Sequence, residues 1–80
     1  MKALVQSIVD ALVDHSDEVL IKELHGENIT IIELSVARED LGKVIGRNGR
    51  TITAIRTILN AAGATQKKRV VFEVLDSTGG

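Results

Sequence analysis

The pattern of hydrophobic residues in the first half of the chain predicts one helix followed by two strands. Apolar residues recur at helical spacing near the start, which predicts an amphipathic helix over residues 2–14. The stretches VLIKEL and ITIIELSV are rich in branched residues and flank the short break HGEN, a pattern that predicts a β-hairpin. Within that break, Gly26 and Asn28 are residues that can take positive φ.

The second half of the chain is predicted to hold two helices and one strand. A short helix is expected from Ala37 to Ile45, with Gly46 ending it. A second is expected over about residues 50–62, because its apolar residues share one stripe, and Gly63 is placed to end it. The branched run RVVFEVL then predicts a last strand.

The resulting order is α-β-β-α-α-β, and it constrains how the strands pair. A helical crossover between two strands normally joins parallel neighbours, so the last strand should lie parallel to the second strand of the hairpin. The expected fold class is α+β, a two-layer domain in which three helices cover one face of a three-stranded mixed sheet. Residues 1–76 are assigned to this domain and residues 77–80 to a flexible tail.

Composition removes several classes of protein. The chain has no cysteine, so it can form neither a disulfide framework nor a thiolate metal site. No apolar run approaches the roughly 20 residues that span a bilayer, so we expect a soluble, unexported protein with no membrane partner. Phe72 is the only aromatic residue, so the core must be aliphatic.

Charge is distributed unevenly along the chain, although its net value is only −1. Residues 1–37 carry two lysines against seven acidic residues. Residues 38–69 carry eight basic residues against two acidic ones. The chain is therefore bipolar, and its basic half contains a glycine pair, which favours a negatively charged ligand there.

The glycine pair lies in the sequence KVIGRNGRTI, between the two helices predicted in the second half. One glycine would be enough for a left-handed turn. Two glycines, Gly46 and Gly49, remove side chains from both sides of the loop, so that its backbone can approach another chain closely. Asn48 between them tolerates left-handed φ and offers an amide donor.

Positive charge surrounds this loop from three directions. The N-terminus of the following helix points free N–H groups at the loop, an arrangement that binds phosphate. Arg47 and Arg50 add full charges, and Lys43 lies one helical turn before Arg47. The predicted ligand is a sugar-phosphate backbone.

These residues also carry a family resemblance. Val44-Ile45-Gly46-Arg47-Asn48-Gly49, followed by Ile52 and Ile55, resembles the V-I-G-x-x-G-x-x-I-x-x-I core of KH domains. The α-β-β-α-α-β order resembles the bacterial type II arrangement of that fold. More narrowly, the start MKALVQSIVDALVDHSDEV, the stretch ELSVAREDLGKVIGRNGRTITAIRTIL and the end KKRVVFEVLD resemble the small bacterial single-KH RNA-binding proteins of the KhpA type.

The resemblance implies that the chain binds short stretches of single-stranded RNA in the cytoplasm. It also implies a homodimer and a larger KH-containing partner of the Jag type. The implied RNA-binding residues are Lys43, Gly46, Arg47, Asn48, Gly49 and Arg50. In KH domains the bases lie in an apolar groove, for which Leu41 and Val44 are the candidates here. Four other apolar residues are expected to be core: Ile45, Ile52, Ile55 and Leu59.

Two other classes of function remain to be weighed against RNA binding. A protein-interaction subunit that dimerises or docks, with only weak RNA binding, is the alternative, although such a subunit has no need of two glycines flanked by arginines. A helix-turn-helix DNA reader is disfavoured, because TITAIRTILNAA is mostly Ile, Leu and Ala.

No catalytic, metal or cofactor site is expected from the sequence. His15 and His25 are ten residues apart, and no further ligands stand at a metal-site spacing. Glu39 and Asp40 are adjacent, so they point in different directions, and we interpret them as partners of the helix dipole in the first turn. We therefore expect a protein without enzymatic activity.

Overall fold

The computed structural model describes residues 1–77 and confirms the predicted order of elements. Its helices and strands are α1 (Lys2–Leu12), β1 (Leu20–His25), β2 (Ile29–Val36), α2 (Leu41–Ile45), α3 (Arg50–Ala64) and β3 (Arg69–Asp76). Two expected helices are shorter than predicted. Helix α1 stops at Leu12, and the segment before α2 is a separate 3-10 turn at Arg38–Asp40.

The first two strands form the predicted antiparallel hairpin, with Leu20 opposite Ser35 and His25 opposite Thr30. The turn closes through a hydrogen bond from the Gly26 amide to the Ile29 carbonyl, 2.7 Å long. Gly26 and Asn28 do not take the positive φ that their residue types allow, because positive φ within residues 1–77 occurs only in and after the α2–α3 segment.

Strand β3 pairs in parallel with β2, from Ile29 opposite Arg69 to Val36 opposite Asp76, as the crossover rule predicts. The sheet order is β1-β2-β3, so β2 is central. Along β2 every second residue is buried, which shows that the helices cover one face of the sheet. The core beneath them is aliphatic apart from Phe72 and comprises Val5, Val9, Ile21, Ile32, Leu34, Val36, Val44, Ile55, Leu59, Val70 and Phe72.

Gly63 does not end α3, contrary to the prediction. It is a buried residue within the helix, where an added Cβ would lie 2.7 Å from the Lys68 carbonyl oxygen and 2.7 Å from Val70 Cγ2. The glycine is therefore needed for close packing of α3 against the start of β3. The left-handed residue after the helix is Lys67, with φ 58°, and the Lys68 amide donates to the Gly63 carbonyl at 3.0 Å.

The predicted tail begins with a residue that is held in place. The Ser77 amide donates to the Val36 carbonyl at 2.8 Å, which continues the pairing of β3 with β2. Residues 78–80, the rest of the predicted tail, lie outside the described residues. None of the helices within residues 1–77 is long and apolar enough to cross a membrane.

Candidate nucleic-acid interface

Gly46 ends α2 in a backbone conformation that other residues rarely adopt. Its φ is 76° and its ψ is 169°, and its amide donates to the Gly42 carbonyl at 2.8 Å. An added Cβ would lie 2.8 Å from the Thr51 amide nitrogen. The predicted helix stop is confirmed, and glycine is required here both for its φ and for its lack of a side chain.

The loop continues as a tight 3-10 turn, Arg47–Gly49, closed by a hydrogen bond of 3.1 Å from the Gly49 amide to the Gly46 carbonyl. Asn48 is left-handed, with φ 57°, as its residue type predicts, and Gly49 follows with φ 73°. An added Cβ at Gly49 would meet only Ile52 Cγ2, at 3.9 Å. The space beside the second glycine is therefore open to an approaching chain.

The arginines that flank the loop are free to bind an anion. Arg47 and Arg50 are both exposed, and within the described part of the chain neither forms a salt bridge. Arg50 also begins α3, a 15-residue helix whose N-terminal amides lie next to Gly49. Two glycines, two guanidinium groups without an ion pair and a helix N-terminus thus lie within residues 46–50.

Unlike these arginines, Lys43 already has ion-pair partners. Its ammonium donates hydrogen bonds to the carboxylates of Asp14 and of Asp40, the latter at 3.2 Å. The bond to Asp14 and then that to Asp40 raise the pKa of Lys43 above its ordinary value. The lysine precedes the loop on α2, but its ammonium is turned toward these two acidic groups.

Asp40 has a role that the sequence did not reveal. Its side chain is fully buried and accepts hydrogen bonds from the amides of Asp14, at 3.1 Å, and His15, at 2.9 Å. Burial alone would raise the pKa of Asp40, but these two bonds and the Lys43 ammonium outweigh it, so the pKa lies below its ordinary value. Asp40 therefore ties the chain after α1 to α2, beyond the dipole role predicted for it.

Asp40→Asn is expected to lower the melting temperature by roughly 10 °C, because the amide cannot accept from both backbone donors. The exposed substitution Asp17→Asn serves as the control and should leave the melting temperature almost unchanged. Thermal unfolding followed by circular dichroism checks this expectation. Equal melting temperatures for the two variants would contradict the role given to Asp40.

The same substitution should change how stability depends on pH. The pKa of Asp40 is lower in the folded than in the unfolded chain, where we expect it near the ordinary 3.8. Its contribution is therefore fully present above that value and is lost as pH falls through the lower folded value. Between pH 7 and pH 2, unmodified protein should thus lose more stability than Asp40→Asn.

A groove of about 710 Å³ borders α2 and β3 and presents more apolar than polar surface. It is lined by Glu18, Leu20, Ser35, Leu41, Ile45, Val74, Leu75, Asp76 and Ser77. Leu41 lines it as expected. Val44 does not, because it is wholly buried in the core, and Ile45, expected in the core, is 38% exposed on the groove side.

Two further groups of charged side chains lie outside the loop. Arg56 donates to the Phe72 carbonyl at 3.3 and 3.4 Å, so it bridges α3 and β3. His15, Asp17 and Glu18 bring their ligand atoms within 4.8 Å of one another, a cluster that the sequence spacing did not predict. All three side chains are exposed, and acidic surface groups often gather without an ion, so this cluster does not define a metal site.

The helix and strand order, with a GXXG loop between α2 and α3, defines a type II KH domain. The family model described as "KhpA/KhpB, KH domain" matches residues 2–74 of the chain. The chain therefore belongs to the KhpA/KhpB KH domain family.

Individual relatives agree with this assignment over most or all of their length. The RNA-binding protein KhpA of Caldanaerobacter subterraneus subsp. tengcongensis is 52% identical over 75 residues, which cover 94% of this chain and 100% of the relative. The RNA-binding protein KhpA of Clostridium acetobutylicum is 51% identical with the same coverage. That of Borreliella burgdorferi is 49% identical over 91% of this chain and 89% of its own. No solved structure matches the chain.

Proposed function

We propose that this protein binds single-stranded RNA and holds the sugar-phosphate backbone on the loop Gly46–Gly49. The observation that carries the proposal is the open, left-handed loop flanked by the unpaired Arg47 and Arg50. The relatives named RNA-binding protein KhpA support the same ligand. Lys43 and the amide of Asn48 complete the set of proposed contacts.

The bases are proposed to lie in the groove that borders α2 and β3. Leu41, Ile45 and Val74 offer it an apolar surface, on which unstacked bases can be buried. Because the chain has no Tyr or Trp, bases cannot stack on aromatic side chains as they do on OB-folds. Double-stranded RNA keeps its bases stacked within the helix, so the proposed ligand is a single strand.

We propose a binding role without catalysis, carried out as one subunit of a larger complex. KH loops clamp about four nucleotides, which limits the affinity of a single domain, and joined domains gain by effective concentration. A homodimer or a larger KH-containing protein of the Jag type would supply the second domain. RNA as the ligand agrees with the cytoplasmic location expected from the resemblance.

Docking to another protein is the second candidate function. The observation that favours it is the exposed Leu24 on β1, which lies opposite the half-buried Ile31 of β2. Such side chains, when grouped, mark surfaces that bind proteins. In this alternative, RNA binding would be weak.

The salt dependence of RNA binding tests the leading proposal. For about three or four phosphate contacts, a plot of log affinity against log salt should have a slope of roughly −2 to −3. Fluorescence anisotropy of a labelled single-stranded octaribonucleotide at four salt concentrations measures this slope, with a duplex of the same sequence as the control. A flat response, or no binding, would contradict the phosphate clamp and favour the docking function.

A further inference from the structure

The two acidic partners of Lys43 are held very differently. Asp40 is fully buried, and its carboxylate is fixed by the amides of Asp14 and His15. The Asp14 side chain is 71% exposed, and its hydrogen bond to Lys43 is the contact that orients it. Its backbone is anchored to Asp40, whereas its carboxylate can turn away into solvent. Asp14 is therefore the displaceable partner, and Asp40 is the fixed one.

Lys43 is close enough to the loop to exchange one partner for another. It precedes Gly46 by three residues of helix, which corresponds to about 5 Å along the helix axis. A lysine ammonium carries three donors on a flexible stem, so it can leave Asp14 and turn toward a new acceptor. A phosphate seated on the loop would be such an acceptor.

We infer that Asp14 lowers the RNA affinity of the loop, because a phosphate must displace its carboxylate from Lys43. This inference rests on the proposed function, since it concerns the same loop. In the free protein the arginines face solvent and Lys43 is neutralised. In the complex, the ammonium turns from Asp14 to a phosphate on the loop.

The comparison of Asp14→Ala with Asp17→Ala tests this inference. Both substitutions remove one exposed negative charge near the end of α1, but only Asp14 contacts Lys43. Relative to Asp17→Ala, Asp14→Ala should bind a labelled single-stranded octaribonucleotide about two- to fivefold more tightly. Its slope of log affinity against log salt should be steeper by up to about 0.7. Without the Asp14 carboxylate, no displaced group takes up a cation from solution when the phosphate binds Lys43.

Two further variants show whether the gain depends on Lys43. In a Lys43→Met background, the difference between Asp14→Ala and Asp17→Ala should disappear, and circular dichroism verifies that each variant is folded. If the unmodified chain binds RNA but the two alanine variants bind equally, the competition is refuted and the proposed function stands. Weaker binding by Asp14→Ala would likewise overturn it, by showing that Asp14 orients Lys43 for RNA. If the unmodified chain binds no RNA, both proposals fail together.

Discussion

Arg47→Asp combined with Asn48→Asp is expected to lower affinity for single-stranded RNA at least about 100-fold while the protein stays folded. Two carboxylates between the glycines would repel the phosphates, and the loss of Arg47 removes a charge-assisted hydrogen bond. Both side chains are exposed, and aspartate tolerates the left-handed φ of residue 48. Anisotropy measures the affinity, and thermal unfolding should change by only a few degrees.

A control with the same change in charge separates the local contact from long-range repulsion. Lys2→Asp combined with Ser7→Asp makes the same charge change at exposed positions of α1. This control should weaken binding only severalfold, because exposed charges more than about 8 Å apart are screened at physiological salt. If both double variants lose affinity to the same extent, the loop is not where RNA binds.

Gly46→Ala is expected to destabilise the fold by about 3 kcal/mol or more, which corresponds to a fall in melting temperature of roughly 15 °C. An alanine here would have to adopt a backbone conformation that suits glycine, and its methyl carbon would lie 2.7 Å from Thr51 Cβ. For a chain of 80 residues this is a large fraction of the total stability. Thermal unfolding by circular dichroism measures the change.

Gly49→Ala is the matched comparison, because the second glycine is also left-handed but has open space around it. Its φ of 73° and ψ of 17° lie where an alanine is strained by only about 1–2 kcal/mol, and the nearest atom, Ile52 Cγ2, would be 3.9 Å away. Gly49→Ala should therefore lower the melting temperature much less than Gly46→Ala. Equal losses would show that φ strain alone, and not the contact with Thr51, makes Gly46 necessary.

The elements that the sequence predicted well are those set by local patterns. The branched residues of ITIIELSV predict strand β2 to the residue, because such side chains pack well on a pleated, half-buried surface. The glycines of the loop were predicted for the same kind of reason, since Gly46 and Gly49 do take positive φ. The left-handed Asn48 followed from its residue type.

The features that the sequence did not predict depend on contacts between distant segments. Asp40 was read as a first-turn partner of the helix dipole, because nothing near it shows that amides about 25 residues earlier would surround it. Gly63 is predicted to end the helix, yet it lies within α3. Glycine is needed there because β3 packs too closely for a side chain. Val44 and Ile45 are neighbours on one short helix, and which of them faces the core is decided by the sheet beneath.

The parallel pairing of β2 with β3 also bears on how quickly the molecule can fold. Strands β1 and β2 are joined by a short turn, so they can associate early. Strands β2 and β3 are separated in the chain by α2, the glycine loop and α3. A strand pairing between such distant segments forms slowly, because chain entropy is lost before the pairing is gained. The loop that we propose to bind RNA thus lies within the segment that this pairing closes, and its binding surface is complete only when the last strand is in place.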